Sequence, residues 1–410
     1  MIDNSANGNA APASAISGFT AFLFAIAAGL SVASIYYAQP LLDTMSNEFS
    51  LAPSSMGIVI TATQICYALG LLLLVPLGDK LDRRKLISGQ MLLSVAALLA
   101  VGFAPNATFL FAGVAAIGLL AVVTQTLVAF AASLASPVER GRVVGVVTSG
   151  IVIGILLART FAGTLTDLAG WRAVYLVSAL LTLIMAVTLF RILPNSEQVH
   201  QREALPYWRL IQSVLLLFVQ EKVLRIRAAL AFFIFSAFSI LWTSLVLPLS
   251  SPPLSLSHTA IGAFGLAGAA GALAAARAGR LADSGHSQRT TGVALSLLLV
   301  SWLPISFAVQ SLFALVAGII LLDLAVQAVH VTSQSMILSI RPEARSRLTA
   351  GYMIFYSIGS ATGSIASTLV YGNFGWHGVC WLGAAVSGIA LLFWGVTLRH
   401  TSGKKLQTIR

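Results

Sequence analysis

The sequence predicts an all-α integral membrane protein with twelve transmembrane helices in two parallel six-helix repeats and a central cavity. Three observations carry this expectation. Of 410 residues, 58% are hydrophobic and only 9% charged, against about 25% charged in an ordinary soluble domain. The mean hydropathy is +0.91, and the apolar residues fall into runs long enough to cross a bilayer. The longest polar stretch then divides those runs six and six. Soluble enzymes, disordered chains and fibrous repeats are excluded by this composition. A disulfide-stapled secreted domain is excluded as well, because Cys66 and Cys380 are the only cysteines and both sit within apolar runs.

Residues 1–15 form a small, polar N-terminal tail with no Lys or Arg. A cleaved signal needs a positive n-region, so none is expected. A helix crossing about 30 Å of hydrocarbon needs roughly 20 residues. Twelve such runs follow: Ile16–Leu42, Met56–Leu77, Leu86–Ala104, Thr108–Leu134, Val143–Leu165, Arg172–Leu193, Arg225–Leu249, Thr259–Ala278, Thr291–Val309, Leu312–Ile340, Thr349–Tyr371 and Trp376–Leu398. They do not alternate, which excludes barrel strands. The chain is thus expected to comprise a tail (1–15), a first half (16–193), a polar central loop (194–224), a second half (225–398) and a C-terminal tail (399–410).

Of the 24 Lys and Arg, 22 follow even-numbered spans, surround the central loop or lie in the C-terminal tail. Such bias marks the cytoplasmic side, so both termini and the central loop are expected in the cytoplasm. The net charge of +11 is therefore topology, and nucleic acid is excluded as a partner.

A shift of 205 residues superposes Arg140 and Arg142 on Arg345 and Arg347, Gly154 on Gly359, and Gly170-Trp171 on Gly375-Trp376. A shift of 204 places Leu77-Gly78-Asp79 on Leu281-Ala282-Asp283. Each half has an even number of spans and enters from the same side. The halves are therefore parallel repeats, a transporter architecture.

The loop after span 2 reads Leu77-Gly78-Asp79-Lys80-Leu81-Asp82-Arg83-Arg84-Lys85, and its counterpart reads Gly279-Arg280-Leu281-Ala282-Asp283-Ser284-Gly285. Both resemble the Gly-x-Leu-Ala-Asp-Arg-x-Gly-Arg-Arg signature of the major facilitator superfamily, and with the six-plus-six layout the resemblance covers nearly the whole chain. The first copy has Val75 and Asp82 where the family has glycines; the second lacks the basic pair. The resemblance implies a cytoplasmic latch built on Asp79, Asp283, Arg83 and Arg84. A solvated cluster that only sets topology is the alternative. Glu139-Arg140-Gly141-Arg142 and Glu343-Ala344-Arg345-Ser346-Arg347 resemble the family's other cytoplasmic charge motif, with gating and topology again the competing roles. Gly150-x-x-x-Gly154 in span 5 resembles the glycine motif of twelve-span drug:proton antiporters, although Ile155-Leu156-Leu157-Ala158-Arg159 replaces the usual proline segment. Glycines four apart also serve simple close packing.

Ionisable groups at membrane depth are costly and usually functional. Arg159 in span 5 and Asp323 in span 10 are the two well inside predicted spans. Asp323 begins a series with Gln327, His330 and Gln334 that falls on one helical face. That face is expected to line the cavity. Asp323 lies roughly 17 Å from the outer end of its span, near the midplane. It could carry a proton, bind a cationic group, or pair with Arg159. Further candidate contacts are Tyr37 and Gln39 in span 1, Gln64 and Tyr67 in span 2, and Trp242 in span 7. Tyr and Trp also act as interface anchors.

The sequence offers no nucleophile with a base, paired catalytic carboxylates, metal cluster or phosphate loop. The expectation is a non-enzymatic secondary transporter of a small organic solute without a cofactor. A proton gradient would drive it, most simply as efflux, and it would work as a monomer in a bacterial inner membrane. Uptake or efflux of a sugar or other metabolite, or a membrane sensor without flux, are the alternatives.

Overall fold

The computed structural model describes residues 17–79, 81–136, 139–193, 206–268, 277, 281, 285–341 and 344–401. Every regular element among them is helical. This follows from the solvent: hydrocarbon cannot satisfy backbone N–H and C=O groups, so a spanning segment must bond them internally. Ten apolar helical stretches are long enough to cross a bilayer. The last, Arg345–Leu398, holds spans 11 and 12, because the backbone leaves the helical region at Gly375. Of the predicted span 8, the helix His258–Ala267 is described. Among the described residues, eleven spans and this first part of span 8 follow the expected order.

Polar side chains start several spans. Ser17, Asp82, Asn106, Ser257 and Ser311 each accept a backbone N–H three residues on, satisfying donors that a helix start leaves open. Spans 5 and 6 turn at Gly170 with φ 81°, and spans 11 and 12 at Gly375 with φ 62°. Both glycines precede a tryptophan, Trp171 or Trp376. These φ values disfavour L side chains, so the 205-residue repeat recurs as backbone geometry.

Glycines also fix how the spans cross. Span 1 meets span 5 so closely that a Cβ on Gly150 would collide with the Ala25 carbonyl, and one on Gly154 with Gly29. Gly359 and Gly363 of span 11 meet Phe232 and Ser236 of span 7 in the same way. Gly154 and Gly359, paired by the sequence shift, thus both sit at close helix crossings. Between the halves the 205-residue register does hold. Gly57 of span 2 packs on the Ser364 carbonyl of span 11, and Gly262 of span 8 packs on the Arg159 carbonyl of span 5. The large apolar side chains left outside include Leu92, Leu93, Phe109, Ile184, Leu303 and Trp381, as a lipid-facing surface requires.

The central loop is not uniformly polar. Tyr207–Gln220 is a 14-residue helix, about 21 Å long and too short to span. Ile211, Val214 and Leu217 are buried, while Trp208, Leu215, Leu216 and Val219 are exposed. Its Tyr207 hydroxyl donates to the Leu73 carbonyl at the end of span 2, at 2.5 Å.

Candidate transport site

Arg159 and Asp323 come from opposite halves and meet at one indole. Arg159 is buried in span 5 with its guanidinium 3.9 Å from the centre of the Trp242 ring. The Trp242 Nε1–H donates to Asp323 Oδ1 at 3.2 Å. The two charges form no direct ion pair, and the indole contacts both. Arg159 Nε donates to Gln39 Oε1 at 2.8 Å, while its Nη2 is buried with no hydrogen-bond partner. The rings of Tyr36 and Phe238 complete its surroundings at 5.2 and 5.4 Å. Guanidinium over aromatic faces is a favourable, partly desolvated arrangement.

Span 8 closes this site with glycines. A Cβ on Gly262 would strike the Arg159 carbonyl; one on Gly265 would lie 3.1 Å from Arg159 Cβ; one on Gly268 would lie 2.5 Å from Asp323 Oδ2. Three absent side chains therefore let one helix lie against both charged residues.

A second polar group extends along span 10 toward its C-terminal end. His330 Nδ1 lies 3.0 Å from the Tyr352 hydroxyl, and Gln334 Nε2 lies 3.3 Å from His330 Nε2. Gln327, His330 and Gln334 are half-buried, whereas Asp323 is buried. The two groups connect through aromatics: the Tyr36 hydroxyl meets the Tyr356 hydroxyl at 2.5 Å across the halves, and Phe235 packs on both Tyr356 and His330.

The other sequence candidates divide. Gln64 is buried nearby with Oε1 unpartnered, and Tyr67 lies beside Gln125 and Tyr36. Tyr37 points away, packing on Phe161 and Tyr175 within the first half. Its neighbour Tyr36 reaches the site instead, because adjacent helical residues point about 100° apart. Arg227, grouped by sequence with the charges around the central loop, is a second buried cation. It is fully enclosed in span 7, with Nη1 donating to Thr291 Oγ1 at 3.1 Å.

On the side of the central loop Arg83 donates to the Gly78 carbonyl at 3.1 Å and to Ser133 Oγ at 2.9 Å. Arg84 lies over the Phe190 ring, Arg140 donates to the Ala132 carbonyl, and Arg142 pairs with Glu139. Arg83 and Arg347, one from each half, line the same cleft with Gln125 and Ala350, and Arg345 is exposed. The side chain of Asp79 and the whole of Asp283 lie outside the described residues.

The span ends opposite the central loop carry a contact that sequence reading missed. His258 of span 8 places Nε2 at 3.2 Å from both oxygens of Asp43 and at 2.9 Å from Thr44 Oγ1. Its Nδ1 lies 3.2 Å from Asp167 Oδ1, and the backbone N–H groups of His258 and Thr259 also donate to Asp167. A carboxylate at a helix start is stabilised there. The hydrogen bond to Asp43 raises the His258 pKa above its ordinary value, with Asp167 adding to the effect and burial opposing it. Beside it, Glu48 pairs with Arg172 and accepts the Trp171 indole N–H, within the first half. His258 starts a helix far along the chain from Asp43 and Asp167, so no local spacing could have announced it.

The Major Facilitator Superfamily profile matches residues 22–301 and 228–409. The chain is 49% identical over 372 residues to the transporter YgaY of Escherichia coli K12, covering 91% of this chain and 94% of that one. It is 31% identical over 377 residues to the transporter SCO4007 of Streptomyces coelicolor, covering 92% and 86%. Among solved structures, a bacterial homologue of the human lysosomal transporter Spinster, inward-facing and unoccupied, superposes with a TM-score of 0.80. It shares 13% identity, with 95% of this chain and 98% of that one covered. Profile, relatives and fold agree: the chain is a multi-pass membrane transporter and belongs to the Major Facilitator Superfamily.

Proposed function

We propose that this transporter is a secondary active carrier that exports a small organic solute by alternating access in exchange for protons. It would act as a monomer in the bacterial inner membrane with both termini in the cytoplasm. The Lys and Arg distribution supports the orientation.

The observation that carries the reading is a pair of opposite buried charges, Arg159 and Asp323, one from each half, both held on Trp242. A group shared between two halves changes its surroundings whenever the halves rock. Burial penalises a carboxylate's charged form, so a change of surroundings changes how readily Asp323 holds a proton. The Tyr36–Tyr356 contact and the His258 clasp cross the same boundary and would break and reform with the motion.

The test is flux into sealed proteoliposomes under an imposed pH gradient, across a panel of drugs, sugars and amino acids. Asp323→Asn is expected to abolish pH-driven flux while leaving membrane insertion intact. Full pH-driven flux in that variant would remove Asp323 from coupling.

A further inference from the structure

Arg159 and Asp323 raise a question that a coupling role does not answer. Leaving one member of a buried opposite pair uncompensated is strongly destabilising, and direct contact is what offsets the desolvation of both. Here the two charges are buried and share one indole, yet they do not pair. Each also keeps an unused hydrogen-bonding position. Arg159 Nη2 has no partner, and among the described residues Asp323 accepts only the Trp242 indole N–H, through Oδ1. Its Oδ2 packs against Gly268, where a Cβ would lie only 2.5 Å away, so no side chain from that position covers it.

We infer that the cargo is a dipolar organic solute, whose anionic group takes Arg159 Nη2 and whose cationic group takes Asp323 Oδ2. Electroneutrality supports this class over its rivals. The site sums to zero charge, and a zwitterion adds none. A lone anion or cation would bring a net charge into a poorly solvated interior, where uncompensated charge is expensive. The rings of Tyr36, Phe238 and Trp242, whose faces hold the guanidinium, then offer their edges to the apolar body of the solute. The same arrangement supplies an exchange rule: a proton on Asp323 removes the negative charge that the cationic group needs, so proton and cargo exclude one another there. The inference rests on the alternating-access reading above and names its substrate class.

Equilibrium binding to the purified full chain at neutral pH tests it, using solutes matched in skeleton and differing only in charge. One set is phenylalanine, hydrocinnamate and phenethylamine; the other is leucine, isocaproate and isoamylamine. In at least one set the zwitterion is expected to bind roughly 10- to 100-fold more tightly than both partners, the worth of one charge-assisted hydrogen bond. Arg159→Gln should reduce the zwitterion to the level of the amine, and Asp323→Asn to the level of the carboxylate. If a variant does not insert, the ranking on the unsubstituted protein still decides. A carboxylate or amine that matches the zwitterion in both sets, or no binding by any of the six, overturns the inference. So does zwitterion binding that survives both substitutions. Loss of pH-driven flux in Asp323→Asn without any zwitterion preference would overturn the cargo class and leave the coupling reading standing. Zwitterion preference without pH-driven flux would do the reverse.

Discussion

Acidifying the periplasmic side should close that side of the transporter, and His258 should be the reason. Its two ring nitrogens each face a carboxylate, Asp43 at 3.2 Å and Asp167 at 3.2 Å. Only the doubly protonated ring can donate to both. In the neutral ring one nitrogen could accept from Thr44, but one carboxylate would then face a lone pair. Both aspartates belong to the first half and His258 to the second, so opening this side must break the clasp. The His258 side chain is 20% exposed. Each charge-assisted contact is therefore discounted to about 1 kcal/mol. Two such contacts, about 2 kcal/mol, shift the closed-to-open ratio roughly 30-fold. The clasp raises the pKa in the closed state. Its stabilisation is therefore complete below the ordinary histidine value of about 6.5 and is lost as pH rises through the raised value. Val246, buried just inside the closure with Gln39 and Arg159, supplies the reporter. Val246→Cys, in a background with Cys66→Ser and Cys380→Ser, would be labelled by an impermeant thiol reagent from the periplasmic side. Rates would be scaled to an exposed reference cysteine to remove the reagent's own pH dependence. Labelling should slow in acid for the parent, and be fast and insensitive to pH for His258→Gln. An identical pH slope in both proteins, or faster parental labelling in acid, would refute the clasp.

Two further outcomes follow from the packing. Gly262→Ala places a methyl group against the Arg159 carbonyl; overpacking of this kind costs about 1–3 kcal/mol, so Val246→Cys labelling should accelerate at every pH, and unchanged rates would show that span 8 can shift to make room. Trp242→Phe keeps a ring beneath the Arg159 guanidinium but loses the indole N–H to Asp323, so flux should fall roughly 10- to 100-fold with insertion unchanged, and flux equal to the parent would mean that the indole only fills space.

Composition and run length were enough to read the helical spans, because hydrocarbon leaves the backbone no alternative. The Gly170 and Gly375 turns were legible for a related reason: positive φ selects glycine, and the repeat exposed both. Arg159 and Asp323 stood out because charge at membrane depth is rare. What surrounds them did not stand out. Tyr36 and Tyr37 are equivalent by residue type, and only the helical phase separates a cross-half hydrogen bond from a packing contact. Gly262, Gly265 and Gly268 were three glycines in a chain with 34, and what distinguishes them is the neighbour each one admits. The linker helix of Tyr207–Gln220 was hidden because it is too short to register as a span. Arg227 was misplaced because its distance from the loop is less than two turns.

The glycines of span 8 have a mechanical consequence. At about 100° per residue, three residues advance a helix by about 300°, so each successive glycine sits about 60° behind the last. From Gly262 to Gly268 the smooth stripe winds through about 120°, from the backbone of span 5 to the carboxylate on span 10. Along these three glycines span 8 is thus a smooth-sided roller in the corner between two helices. A load on the arginine and a load on the aspartate both bear on that one roller. Its outer end is His258, the residue that fastens the two halves. A small turn of this helix therefore reaches Arg159, Asp323 and the His258 contacts at once.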